Sequence, residues 1–370
     1  MLVQAAVTRA KHAPMVLETL ELEGPREDEI VVRLVATGVC HTDIAMRDQA
    51  FPVPQPIVLG HEGAGVVERV GASVTRVAPG DHVVMSYDSC GRCPSCLAGA
   101  ATYCYAFFAH NFAGARGDGS TSLSSDGAPV HSHFFGQSSF ATHAVCRERN
   151  VVKVPSDVPL ELLGPLACGV QTGAGAVMNA LAVRPGQRFA VFGAGSVGLS
   201  AVMAARVVGA TVIVAVDVKP ERLALARELG ATHTIDASRE NPAEAIVALD
   251  GAGADASLET TALPRVIRQA VECLAPRGTC GIVGASPGGT EMTLDVLHVM
   301  TAGRSIRGIV EGDAVPQTFI ATLIDLYRQG RFPFERLVTF YPFERIEDAV
   351  RDSEAGTVVK AIVRMGPGKR

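Results

Sequence analysis

The chain has no polybasic run, and its 33 basic residues are outnumbered by 38 acidic ones, for a net charge of −5. Nothing in that balance attracts a phosphate backbone or an anionic bilayer, so nucleic acid and membrane are not expected as partners. An apolar run long enough to span a bilayer is also missing. The most hydrophobic stretch, Val197–Val216, is interrupted by Arg206 and Gly209 and reads as a helix followed by a strand. No secretory leader is expected, because the opening residues mix apolar positions with Arg9, Lys11 and His12. Internal repeats and low-complexity linkers are absent too. These absences point to a cytoplasmic protein, and 370 residues suffice for two domains around large cores.

What the chain does have is cysteine, nine in all, with Cys90, Cys93, Cys96 and Cys104 crowded together. Without a secretory leader that pattern favours metal over disulfides. The spacing C-x2-C-x2-C-x7-C lets four thiolates converge on one tetrahedral zinc at ~2.3 Å per bond. Four protein ligands close the coordination sphere, so such an ion is structural. An iron–sulfur cluster is the rival use of four thiolates, while a nucleic-acid-binding zinc ribbon is disfavoured by flanks poor in basic residues.

A second signal runs from Phe189 to Asp217. A short apolar strand leads into Gly193-Ala-Gly195-Ser-Val-Gly198, a helix follows, and a second buried strand ends on Asp217, 19 residues after Gly198. The glycines permit a tight turn, approach of a pyrophosphate to the backbone and close helix–strand packing, and the helix N-terminus favours an anion. Asp217 is placed to accept hydrogen bonds from an adenosine ribose. Strands at 189–193, 211–216, 232–235, 255–258, 280–284 and 305–309 alternate with helices at Ser196–Val208, Pro220–Leu229, Pro242–Leu249, Leu263–Leu274 and Met292–Ala302. This is the pattern of a doubly wound, six-stranded parallel sheet in an α/β fold. After about Gly312 the alternation stops, and a helix over Gln317–Gln329 and a last strand over Val358–Val363 remain.

The region before Cys168 reads as antiparallel β, with Val-rich segments at Glu29–Ala36, Gly63–Val70 and Asp81–Met85 and an opening hairpin from Leu2–Val7 and Val16–Leu22. Two polar clusters interrupt it, Cys40-His41-Thr42-Asp43 and His61-Glu62, and Cys168 lies in a helix-like apolar stretch, Leu162–Val170. Singly, each cysteine or histidine is more often a core residue than a ligand; together the three positions are candidates for a second metal. Residues 105–140 read as a long functional loop, too patternless for core, with His131 and His133 exposed on it.

The motifs GVCHTD, GHEGAGVVERVG, the four-cysteine lobe, PLACGVQTGAGAV and FGAGSVG ending at Asp217 together resemble, end to end, the zinc-dependent medium-chain alcohol dehydrogenases, most closely the bacterial aryl-alcohol enzymes. The resemblance implies a GroES-like catalytic domain over 1–169 with its zinc lobe near 88–106. It implies an NAD-binding Rossmann domain over 170–312, a return to the first domain over 313–370, and a cleft between the domains. It implies two zinc ions per chain: a structural one on Cys90, Cys93, Cys96 and Cys104, and a catalytic one on Cys40, His61 and Cys168. It further implies that Glu62 stands behind the catalytic ion, that Asp43 orients His61 and that Thr42 meets the alcohol oxygen. By the same resemblance Thr172 would pack near the nicotinamide, Gly193, Gly195, Val197 and Gly198 would form the phosphate turn, Asp217 and Arg222 would flank the ribose, and Lys360 would meet the pyrophosphate. The reaction implied is reversible oxidation of a primary aromatic or allylic alcohol to its aldehyde, in a homodimer or homotetramer.

Two positions depart from many relatives. His41 stands where an arginine often meets the pyrophosphate, and Ala45 stands where a histidine often ends the proton relay, which makes His41 the substitute candidate. A third position bears on substrate. Enzymes for S-(hydroxymethyl)glutathione, the nearest alternative, usually carry an arginine four residues after the last structural cysteine. Here it is Phe108, expected to line the substrate pocket. A nucleotide-binding protein without catalysis is the alternative from another class, set against the intact Cys40, His61 and Cys168.

Overall fold

In the computed structural model, which describes residues 1–366, the chain divides into two units. The first comprises Met1–Cys168, Val315–Thr322 and Glu335 onward; the second comprises Gly169–Ala314 and Leu323–Phe334. Among the described residues no helix is long and apolar enough to cross a membrane.

Glu29–Gly38 is buried along nearly its whole length because it lies inside a seven-stranded sheet. Gly63–Val70 and His143–Arg147 pair with it antiparallel, and Lys360–Arg364 joins its far end with Ile362 opposite Gly38. A residue from the end of the chain therefore reaches the same sheet edge as Cys40. The opening hairpin, Leu2–Thr8 with Val16–Leu22, belongs to a five-stranded antiparallel sheet.

Residues 105–140 are not the loop expected. They hold a helix at Phe107–Asn111 and a hairpin of Leu123–Ser125 with Ala128–Val130. Phe134, Phe135 and Phe140 are buried in the unit's main apolar cluster. Packing these three rings into the cluster gains more than leaving them in water would. His133 follows them in, 7% exposed, and is not the exposed histidine that the sequence suggested. Leu162–Val170 is not a continuous helix either: a tight turn over Gly164–Ala167 ends at Cys168, and a helix starts at Gly169.

In the second unit six parallel strands run in the order His233–Asp236, Val212–Asp217, Arg188–Phe192, Ala254–Glu259, Leu274–Ile282, Ser305–Gly308. The chain reverses direction across the sheet beside Arg188–Phe192, the first strand, and ligands of doubly wound folds sit outside the strand ends at that point. Proline opens the helices Pro220–Leu229, Pro242–Ala248 and Pro264–Glu272, where its missing N–H costs nothing. The last crossover helix is shorter than expected, Val296–Thr301, because Asp295 caps it by accepting from the N–H groups of Leu297 and His298.

His133 gives this fold an acid-sensitive point. Burial, then the nearby Arg116 charge, pushes its pKa down to about 4. The unfolded chain binds the proton more tightly, so the stabilisation is complete above an unfolded pKa of about 6.5 and is lost as pH falls towards the folded value. The loss approaches roughly 3 kcal/mol. Urea titrations at pH 7, 5.5 and 4.5 should show a shallower fall for His133→Gln than for the parent chain; equal slopes would contradict the assignment.

Candidate functional site

Cys40 lies two residues past the strand Glu29–Gly38 and caps the short helix His41–Arg47. The Asp43 carboxylate, fully buried on that helix, accepts from Cys40 N at 2.9 Å through one oxygen. Through the other it accepts from Gly60 N at 3.0 Å and meets His61 Nδ1 at 2.8 Å. With Nδ1 held as donor, the lone pair of His61 Nε2 points away from Asp43 and lies 3.2 Å from Cys168 Sγ. Ligand atoms of Cys40, His61, Glu62 and Cys168 all lie within 4.8 Å of one another. The Cys40 thiol is held well below its usual pKa by the hydrogen bond with Cys168, against burial and with help from His61 and Lys360. A thiolate, an oriented imidazole and a second cysteine are the donor set of an open zinc site. The residues fit that ion.

Glu62 is fully buried, and burial pushes its pKa up against the pull of Lys360. A Cβ at Gly38 would collide with Glu62 Oε2, so glycine there makes room for the carboxylate. Lys360, expected to meet the pyrophosphate, points its ammonium at Glu62. It is 3% exposed, and Nζ donates to both Glu62 oxygens at 2.8 and 3.0 Å and to Val39 O at 3.2 Å. An ammonium has three hydrogens, and these three acceptors use them. Burial alone would lower its pKa, but Glu62, Cys40 and Cys168 hold it raised.

Phe108, expected in the substrate pocket, is 71% exposed. Its ring meets Phe112 at 5.4 Å, Phe112 meets Phe135 at 5.2 Å, and only Phe135 stacks on the His61 imidazole, 4.5 Å away and inclined by 25°. Phe134 packs edge-on against the same imidazole at 5.5 Å. Sequence reading missed this pair. Its available signal was the Phe-Phe doublet set among Ser, His and Gly; what delivers it is the left-handed backbone of His133 and Phe135, with φ of 61° and 50°. His41 is exposed on the first helical turn and Thr42 is half-buried, its Oγ1 3.7 Å from Cys40 Sγ.

The cysteine lobe brings Cys90, Cys93, Cys96 and Cys104 within the same 4.8 Å limit. Cys90 Sγ and Cys96 Sγ are 3.9 Å apart, close to the edge of about 3.8 Å in a tetrahedral zinc–thiolate site. Backbone hydrogen bonds from Tyr105 and Cys96 lower the Cys93 pKa to about 6. The set fits a closed zinc ion.

In the second unit Gly193 has φ of 97°, a left-handed turn that favours glycine. A Cβ on Gly198 would strike Gly193 O, whereas one on Gly195 would meet nothing. Ser196–Val207 starts there, with Val197 in its first turn and Gly195 at its cap. Asp217 Oδ2 accepts from Ala194 N at 2.6 Å, so the acid also braces the turn. Arg222 is buried near it, its pKa lowered by desolvation against the charges of Asp217 and Glu221. Thr172 is half-buried on the helix Gly169–Gly175, and its neighbour Gly173 is pressed against Val197 O. The open cradle at Gly195 and the backbone N–H groups of the helix start fit a dinucleotide phosphate.

Residues 26–156 match the family "Alcohol dehydrogenase GroES-like domain", and residues 196–329 match "Zinc-binding dehydrogenase". Geraniol dehydrogenase of Castellaniella defragrans is 49% identical over 362 residues, 97% of each chain. The structure of benzyl alcohol dehydrogenase from Acinetobacter calcoaceticus superposes with a TM-score of 0.96 at 48% identity, covering 99% of this chain and 100% of that one. An alcohol dehydrogenase zinc-binding domain protein from Burkholderia ambifaria superposes with a TM-score of 0.98 at 56% identity, covering 99% and 100%.

Metal analysis should find about two zinc ions per chain. Cys40→Ser should remain folded with one, while Cys93→Ser should lose the lobe and melt earlier; the opposite pattern would reverse the two assignments. Lys360→Met should cost about 3–5 kcal/mol in denaturant titrations by stranding the Glu62 charge. Adding Glu62→Gln should recover much of that, and no recovery would mean that the lysine acts through packing alone.

Proposed function

Given that the chain belongs to the zinc-binding medium-chain alcohol dehydrogenases, we propose that it oxidises a primary benzyl-type or allylic alcohol reversibly to its aldehyde, with NAD as hydride acceptor. The observation that carries the substrate class is Phe135, stacked on His61 inside a cluster of rings. A planar π-system laid against such a wall gains from offset or edge-on contacts that a short aliphatic alcohol does not make. Similar proteins named for geraniol and for benzyl alcohol support the same class.

Zinc held by Cys40, His61 and Cys168 would supply Lewis acidity at the alcohol oxygen, and NAD at the glycine turn would supply the hydride acceptor. The chain's own residues do the rest. Asp43 fixes the tautomer and direction of His61. Thr42 takes the hydroxyl proton, and the exposed His41 passes it to solvent in place of a histidine at Ala45. Lys360 holds Glu62 at the rear of the cluster, and the phenylalanines exclude water from the reacting carbon. Asp217 favours NAD, because a 2′-phosphate at ~4 Å would be repelled by several kcal/mol at an intermediate dielectric.

The test is kcat/KM for benzyl alcohol, geraniol, ethanol and S-(hydroxymethyl)glutathione with each cofactor. Benzyl alcohol and geraniol should lead, NAD should outperform NADP, and Asp217→Ser should narrow the cofactor gap. Phe135→Ala should lower benzyl alcohol turnover about tenfold relative to ethanol. Ethanol or the glutathione adduct in the lead would remove the substrate assignment, and equal use of both cofactors would remove the NAD assignment.

A further inference from the structure

We propose that the first unit carries a second binding site, for a phosphate group, in the cavity beside the cysteine lobe. This cavity of about 490 Å³ is lined by four arginines, Arg92, Arg116, Arg147 and Arg149, and three acids, Asp28, Glu29 and Asp88. The arginines are not equally occupied. Arg116 is spent: it grips Glu29 with two hydrogen bonds at 2.7 and 2.9 Å and Glu23 with a third at 2.6 Å. Arg149 donates to Asp88 at 2.9 Å and to Cys90 O at 3.1 Å. Arg147 reaches Asp28 and Asp88 only at 3.5 and 3.4 Å, longer than the ~2.7–2.9 Å of a firm charge-assisted bond. Arg92 is exposed and makes no ion pair among the described residues. Arg92 is thus unpaired, and Arg147 is held only by long contacts that an anion could replace.

The second observation is His133, which lines the same cavity and is 7% exposed. Its Nε2 has no hydrogen-bond partner among the described residues. A buried ring nitrogen without a partner needs an explanation; Nε2 is itself closed to solvent, and a small turn of the ring would bring its N–H onto a ligand oxygen without adding charge. Two planar forks and a neutral donor suit the tetrahedral oxygens of phosphate. The volume leaves room beyond one phosphate, so the group arrives either as inorganic phosphate or on a small phosphomonoester. The site is separate from the glycine turn, which belongs to the second unit.

Calorimetric titration of the zinc-loaded protein with inorganic phosphate, and separately with glycerol 3-phosphate, tests this with and without saturating NADH. One saturable site should persist with NADH present. Arg92→Gln, at an exposed position whose loss leaves the core intact, should weaken it about tenfold, and Arg92→Gln with Arg147→Gln about a hundredfold. Tighter binding of the phosphomonoester would identify an organic ligand, and equal or weaker binding would identify free phosphate. Absence of saturable binding, its complete loss on adding NADH, or equal affinity in parent and variants would overturn the proposal.

Discussion

One carboxylate holds the reactive end of the first unit together. Asp43 is fully buried and receives Cys40 N, Gly60 N and His61 Nδ1. Three donors offset the cost of burying its charge, and in return it joins two loops that would otherwise be independent. One carries Cys40 and the other carries His61. Their ligand atoms consequently converge through protein contacts alone, and Cys168 meets them from the turn that ends at Ala167. Behind this, Glu62 and Lys360 form a buried pair in which each charge offsets the other.

The second unit uses the same economy. Asp217 closes its strand by accepting from Ala194 N, and also takes the N–H groups of Val218 and Lys219. Thr260, at the end of the neighbouring strand, donates to Phe192 O at 2.8 Å. The glycine turn is therefore braced from two strands while the space over Gly195 stays open.

Much of this was legible in the sequence because it is local. The four-cysteine spacing, the glycine turn with its terminal acid, and the alternation of strand and helix each lie within a short window. Asp43 and Glu62 were legible as neighbours of candidate ligands. What escaped depends on distance or on backbone shape. Lys360 and Glu62 are 298 residues apart, and no local pattern announces that the final strand lays one on the other. Phe135 reaches His61 through a left-handed backbone that a phenylalanine doublet does not advertise. Phe108 lay in the right aromatic stretch but on its outer face, and His133 was misjudged because its polarity outweighed the burial of the phenylalanines beside it.

The central claim is that Cys40, His61 and Cys168 hold a metal open to substrate, while the cysteine lobe holds one that is closed. Cobalt(II) substituted for zinc reports this directly, because its visible absorption follows changes in its ligands. Adding benzyl alcohol and NAD to the cobalt protein should shift the absorption, and the same addition to Cys40→Ser, which keeps only the lobe metal, should leave it unchanged. A spectrum that ignores the alcohol in the parent protein, or responds equally in the variant, would contradict the account.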